Sequence, residues 1–299
     1  MPRGSKLAII GATGARGRAI VQSALGKGAS VNILARPPSA LSLNHERFQV
    51  VAGDLSRPDT VLAALHGCDA VIYTPPLGFN EDQAVIWLSI VMTAAELAGV
   101  RRFVLCCSVR PPDYRCGVAA LDVKRALLLR IAGSSLESVL VRPTLFLGNL
   151  LLPAICERIL GNEKQVVYPI RGDVPCQWIT WEAAASVAIE AATTRIPIGP
   201  IIDIGGPETV CGHQLAEQMG LGLGFGLTYR QARADEIVTA LAPTLGEASA
   251  QEVVKLYEWL NSGGYQSLIT QETVGHPHEV GEGSIARWAA AQQWQEPSH

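Results

Sequence analysis

The sequence predicts an α/β fold: a doubly wound parallel sheet in the first half of the chain and a smaller α+β region after it. Three observations lead there. Short apolar runs rich in β-branched residues alternate with longer helical patterns, as in parallel strands joined by crossover helices. A tight glycine turn, Gly11-Ala12-Thr13-Gly14-Ala15-Arg16-Gly17, separates the first strand from the first helix. Beyond Gly148 the alternation gives way to isolated helices separated by Gly- and Pro-containing loops.

In order, strands are expected at residues 6–10, 30–35, 48–52, 70–74, 102–107 and 138–141, each a short run of buried-strand composition. The first helix covers 15–25 and stops at Gly26-Lys27-Gly28. The connection 37–46 reads as irregular, Pro58 opens a helix that reaches about residue 66, and a further helix covers 81–97. In the later part, helices are expected at 183–193, 235–242 and 248–260, and Gly220 to Gly226 reads as a flexible patch. The division is a first domain over 1–150, with 177–204 returning to it, and a smaller region over 151–299.

Composition narrows the function classes. The chain has 299 residues, 48% of them hydrophobic, and a net charge of −3 with scattered arginines, so it offers no basic footprint for nucleic acid. Its start runs directly into a strand without a cleavable leader, and its longest apolar stretch, 84–100, is too short and too interrupted to span a bilayer. A cytoplasmic protein without a membrane partner is expected, and a homodimer is left open. Seven cysteines without a CxxC pair suit neither a disulfide framework nor a zinc site, and neighbours Cys106 and Cys107 point to opposite faces of a strand. His276-Pro277-His278 lacks a completing acid or thiol, so no metal is expected. No GxSxG elbow supports a hydrolase.

The glycine turn carries the chemistry. A pyrophosphate needs backbone N–H groups at a helix N-terminus and no side chain in its path; Gly11, Gly14 and Gly17 meet that need, with Thr13 and Ala15 in the same cradle. The spacing is GxxGxxG, and the turn alone would also fit any α/β protein. A second strand ending Leu34-Ala35-Arg36 and a third ending Gly53-Asp54-Leu55 turn it into a Rossmann-type dinucleotide site. An NAD site carries a carboxylate at the end of the second strand. Arg36 stands there instead and suits the 2′-phosphate of NADP(H), with Arg16 as a second positive contact. Asp54 is expected on the adenine amino group, with Leu55 against the ring, or else as a cap near Ser56.

These pieces, together with Ala98-Gly99-Val100-Arg101-Arg102-Phe103-Val104, Lys124 in its helix, and Val141-Arg142-Pro143-Thr144 followed by Phe146 and Asn149, resemble the NmrA-like group of atypical short-chain dehydrogenase/reductases over nearly the whole chain. That group includes triphenylmethane, quinone and isoflavone-type reductases. The resemblance implies an NADP(H)-binding Rossmann domain, a small C-terminal substrate lobe, and a cleft at the carboxyl ends of the strands. Gln177 to Ala183 resembles the segment that returns to the first domain in extended members.

At the catalytic position the chain departs from the better-known YxxxK pattern: position 120 is Ala. Lys124 is left as the general acid/base, as in some isoflavone-type relatives, or as the holder of the nicotinamide ribose. Tyr114 and Ser108 are the other candidate donors. Thr74, Pro75 and Pro143 border the cofactor, and Pro76, Phe79, Phe146, Asn149, Trp178 and Trp181 line an apolar pocket. The expected activity is NADP(H)-dependent hydride transfer to a small apolar or aromatic molecule. Two other readings stand beside it: a dinucleotide sensor without turnover, and a redox-neutral isomerase or cyclase that keeps NADP(H) as a scaffold.

Overall fold

The computed structural model describes residues 4–37, 45–194, 201–270 and 284–294. The first elements are β1 (Lys6–Ile10), α1 (Ala15–Gly26), β2 (Ser30–Ala35), β3 (Phe48–Ala52), α2 (Pro58–Leu65), β4 (Ala70–Tyr73), α3 (Glu81–Leu97), β5 (Arg102–Cys106), α4 (Ala119–Ala132) and β6 (Ser138–Pro143). There follow β7 (Leu145–Phe146), α5 (Pro153–Leu160), β8 (Gln165–Tyr168), β9 (Cys176–Ile179), α6 (Trp181–Thr193) and β10 (Ile201–Ile204). The last are β11 (Thr209–Val210), α7 (Gly212–Leu223), β12 (Thr228–Gln231), α8 (Ala234–Leu245), α9 (Glu247–Asn261) and α10 (Ser284–Ala291).

Two compact units form. The first comprises Met1–Ser108, Asp122–Arg142 and Trp181–Ile202; the second comprises Val109–Leu121, Pro143–Thr180 and Asp203–His299. The chain therefore passes to the second unit already at 109 and again at 143, before the expected boundary near 150, and the second unit is about as long as the first.

In the first unit the sheet order is β10-β6-β5-β4-β1-β2-β3, with every pairing from β6 to β3 parallel. Side chains alternate between faces, and both faces are covered, which is why these strands read as nearly unbroken apolar runs. Ile10, Tyr73, Phe103 and Leu105 pack with Leu65 of α2, Leu88 and Met92 of α3, and Leu127 of α4. Leu7, Ile9, Ile33, Ile72 and Val104 alternate with them and are fully buried. Buried Asn32 satisfies its amide by donating to the Ala64 carbonyl at 3.1 Å, which ties β2 to α2. The helix starts are local: Pro58 presets the first turn of α2, and the Asn80 side chain accepts from the Gln83 N–H at 2.9 Å to cap α3.

The second unit holds two small sheets. In one, β9 pairs parallel with β7 and antiparallel with β11; in the other, β8 pairs parallel with β12. Its core gathers Leu150, Tyr168, Trp178, Met219, Leu260 and Ile285.

The six expected strands form, three of them with the expected ends, and α3 spans the expected residues. Among the described residues no helix is long and apolar enough to cross a membrane. Most of the 37–46 connection, and His276-Pro277-His278, lie outside the described residues. The Gly220–Gly226 patch is corrected: Gly220 and Gly222 belong to α7, which ends only at the left-handed Gly224 cap, φ 80°. Gly222 is an approach glycine, since a Cβ there would run into the Ala286 carbonyl of α10. Gly222→Ala is therefore expected to lower stability by about 1–3 kcal/mol, as overpacking does, whereas Gly226→Ala, with open space around it, should stay within about 0.5 kcal/mol of the parent. Urea denaturation of both variants checks the contrast.

Candidate active site

β1 delivers the chain to Gly11, whose φ of 88° suits glycine. A Cβ at Gly11 would run into the Thr74 carbonyl, and one at Gly17 into the Gly11 carbonyl. Gly14 caps α1 with extended backbone and no side-chain bond, and the first turn carries no acid. Thr13, Gly14 and Ala15 are exposed. The amide donors at the start of α1 and the positive end of its dipole are thus left open to an anion. Beside the turn, the Thr74 hydroxyl is buried against the Cys106 thiol without a hydrogen bond of ordinary geometry. A turn packed tightly by Gly11 and Gly17, uncapped amides at the start of α1 and an orphaned hydroxyl fit the pyrophosphate and ribose of a dinucleotide.

On one side of the turn, Arg36 follows β2 with its side chain 83% exposed, and its Nε lies 3.8 Å from Asp54 Oδ2. Asp54 Oδ1 accepts from the Ser56 N–H at 2.9 Å and the Ser56 hydroxyl at 2.7 Å. Those bonds, with a smaller contribution from Arg36, hold the Asp54 carboxyl below the usual range. Asp54 therefore makes the turn cap, with its second oxygen toward Arg36. Leu55 packs against the core of the first unit.

On the other side, Arg16 donates from Nη1 to the Cys107 carbonyl at 2.8 Å. Arg16 was expected beside Arg36, but the order β5-β4-β1-β2 puts these two arginines at opposite sides of the turn. The cause is reach: the long Arg16 side chain extends from the first turn of α1 to the carbonyl just past β5. Lys124, half-buried on α4, is pushed down to about 8 by burial; Arg16 adds to the shift and Cys107 opposes it. Burial raises the Cys107 thiol, while the positive charges of Lys124, Arg16 and Arg142 act to lower it. Cys107, read from the sequence only as a strand residue, and Arg142, read only as part of the motif from Val141 to Thr144, were not expected in the site; their position at the strand ends marks them.

The remaining expected residues are distributed as follows. Ala120, where the tyrosine is missing, is buried. Ser108 is half-buried just past β5, and the chain leaves it through Val109 at φ 35°, an uncommon backbone for a β-branched residue. Tyr114, in the 109–121 segment of the second unit, is 64% exposed. Pro75 and Phe79 are half-buried, Pro76 is exposed, and Pro143 ends β6. In the second unit Phe146 and Trp178 are buried, and Asn149 donates to the Tyr168 hydroxyl at 3.2 Å, which in turn bonds the Tyr257 hydroxyl at 2.9 Å. Trp181 opens α6, half-buried.

Comparison with known proteins follows the same line. Residues 11–147 match the family described as NAD(P)H-binding. The (4-alkanoyl-5-oxo-2,5-dihydrofuran-3-yl)methyl phosphate reductase of Streptomyces griseus is 28% identical over 90% of this chain and 93% of its own. The NAD(P)H azoreductase of Xenophilus azovorans is 29% identical over 74% of this chain and 75% of its own. The fold matches that of Citrobacter sp. triphenylmethane reductase, crystallised with NADP(H), at a TM-score of 0.73 and 16% identity, over 95% of this chain and 99% of the other. Residues 11–147 thus form an NAD(P)H-binding domain, the two relatives that cover most of the chain are reductases, and the cofactor is NAD(P)H.

Proposed function

We propose that the protein is an NADPH-dependent reductase acting on a small, conjugated acceptor with an apolar or aromatic body. The observation that carries this reading is the pairing of the side-chain-free cradle at Gly11, Gly14 and Gly17 with the exposed Arg36 beyond β2. The azo and dihydrofuran acceptors in the names of the two relatives support a conjugated substrate.

In this reading Thr13 and Ala15 complete the cradle for the pyrophosphate, and Arg36 holds the 2′-phosphate through charge-assisted bonds. Asp54 and Leu55 border the adenine, and Thr74, Pro75 and Pro143 border the rest of the dinucleotide. NADPH supplies the hydride. Lys124 holds the proton at Nζ: its ammonium is kept acidic enough by burial to release that proton near neutral pH. Ser108 offers a hydroxyl nearby, whereas the exposure of Tyr114 favours Lys124 as donor. Pro76, Phe79 and Trp181 remain the first unit's candidates for apolar contact with a substrate, and Phe146, Asn149 and Trp178 the second unit's.

Two measurements test these assignments. Arg36→Ala should weaken NADPH about 10- to 100-fold, the loss of charge-assisted bonds of about 1.5–3 kcal/mol, and leave NADH nearly unchanged; fluorescence titration with both nucleotides reads the difference, and equal losses would remove the case for NADPH. Lys124 is protonated below about 8 and neutral above it, so single-turnover NADPH oxidation should fall as pH rises through that value. Lys124→Met should slow turnover on the order of 100-fold and abolish that limb of the profile. A limb that survives in Lys124→Met assigns the proton to another group.

A further inference from the structure

Parallel pairing of β2 and β3 sets Ala35 opposite Ala52, and the Gly53 N–H donates to the Ala35 carbonyl at 3.0 Å, so the two strands leave the sheet side by side. Arg36 and Asp54, which follow, thereby meet with opposite charges, Nε to Oδ2 at 3.8 Å. They are held very differently. The Asp54 N–H donates to the Thr60 hydroxyl at 3.2 Å, its carbonyl accepts from the Arg57 N–H at 3.0 Å, and its Oδ1 carries both Ser56 bonds. Arg36 is 83% exposed, and 3.8 Å is too long for a hydrogen bond, so the carboxylate neither aligns nor occupies its donors. Among the described residues the Asp54 Oδ2 accepts no hydrogen bond, and the next cation on this loop, Arg57, is paired with Asp59 at 2.8 Å.

A carboxylate beside the adenosine ribose accepts a hydrogen bond from a 2′-hydroxyl and repels a 2′-phosphate, which is why an NAD site carries an acid after its second strand. Here a cation follows β2, and the acid arrives from the end of β3. We infer that Asp54 is a specificity-determining residue: its Oδ2 accepts from the ribose 2′-hydroxyl of NADH and opposes the 2′-phosphate of NADPH, so that Arg36 favours NADPH by a narrower margin than it would alone. This inference rests on the seating of the 2′-phosphate at Arg36 proposed above. A phosphate there stands one hydrogen bond beyond a guanidinium that is itself 3.8 Å from the carboxylate. The like charges then fall within about 8 Å, the Debye length at physiological salt, and are only partly screened. Removing Asp54 costs Arg36 no alignment, since no hydrogen bond joins them, so the repulsion decides the sign. The Ser56 bonds keep the carboxyl ionised, below the usual carboxylate range.

The test is equilibrium binding to the full chain, read by nucleotide fluorescence with NADPH and NADH in parallel. Asp54→Asn keeps the oxygen that caps the turn at Ser56 and removes the charge. NADH should bind at least about threefold more weakly, the loss of one hydrogen bond, and NADPH at least about threefold more tightly, the relief of one partly screened repulsion. The preference thus moves about tenfold toward NADPH. Asp54→Ser, whose hydroxyl forms the same kind of turn, serves the purpose if Asp54→Asn does not fold. The inference fails if the preference moves by less than about threefold, if both nucleotides weaken alike, as loss of an adenine contact or of a structural cap would make them, or if NADPH weakens more than NADH. Absence of binding of either nucleotide by the parent protein overturns the dinucleotide reading and this inference together. Equal losses in Arg36→Ala remove the phosphate seat and this inference with it; NADPH selectivity that depends on Arg36 but not on Asp54 overturns this inference alone.

Discussion

The approach of the Gly11 backbone to the Thr74 carbonyl is the contact on which the candidate site depends. It joins the end of β1 to the end of β4 where the sheet order reverses, with β2 and β3 laid to one side and β4, β5 and β6 to the other. Connections that diverge from such a point leave a crevice beyond the carboxyl ends of the strands. The contact leaves no room for a side chain at Gly11, and the packing of Gly17 onto the same turn brings the start of α1 directly over the crevice. One pair of backbone approaches thus sets both the access and the polarity of the site.

The two sides of this turn differ in dielectric environment more than in charge. Arg36 and Asp54 stand in solvent, where their 3.8 Å separation contributes little to stability and leaves the guanidinium available for a phosphate. Arg16 and Lys124 are half-buried, and burial shifts both downward. A charge there acts at longer range and with less screening by salt.

Much of this was legible in the residues. Parallel strands buried on both faces have a composition that does not depend on distant partners, so β1 and β2 could be placed end to end from their apolar runs. Caps are equally local, as Asn80 before α3 and Pro58 at α2 illustrate. The glycine spacing likewise marks the dinucleotide turn without further information. Less legible was the second part of the chain, where β7, β9 and β11 are two to four residues long and draw their pairing from distant segments. Gly222 reads as flexibility in sequence and acts as close helix packing in the fold, because only the neighbouring α10 gives the missing side chain its meaning.

By itself, then, the amino-acid sequence determined the doubly wound sheet, the dinucleotide turn, the arginine after the second strand and the absence of a tyrosine at position 120, since each rests on backbone requirements or contacts within a few residues. The tertiary structure decided which charges meet. Arg16 and Arg36 are twenty residues apart on elements of similar polarity, yet strand order sends one to the end of β5 and leaves the other beyond β2. Cys107 and Arg142 lie side by side because β5 and β6 pair in parallel and bring their carboxyl ends to one edge. Burial, which no local pattern specifies, then turns an ordinary helical lysine into one that loses its proton near pH 8.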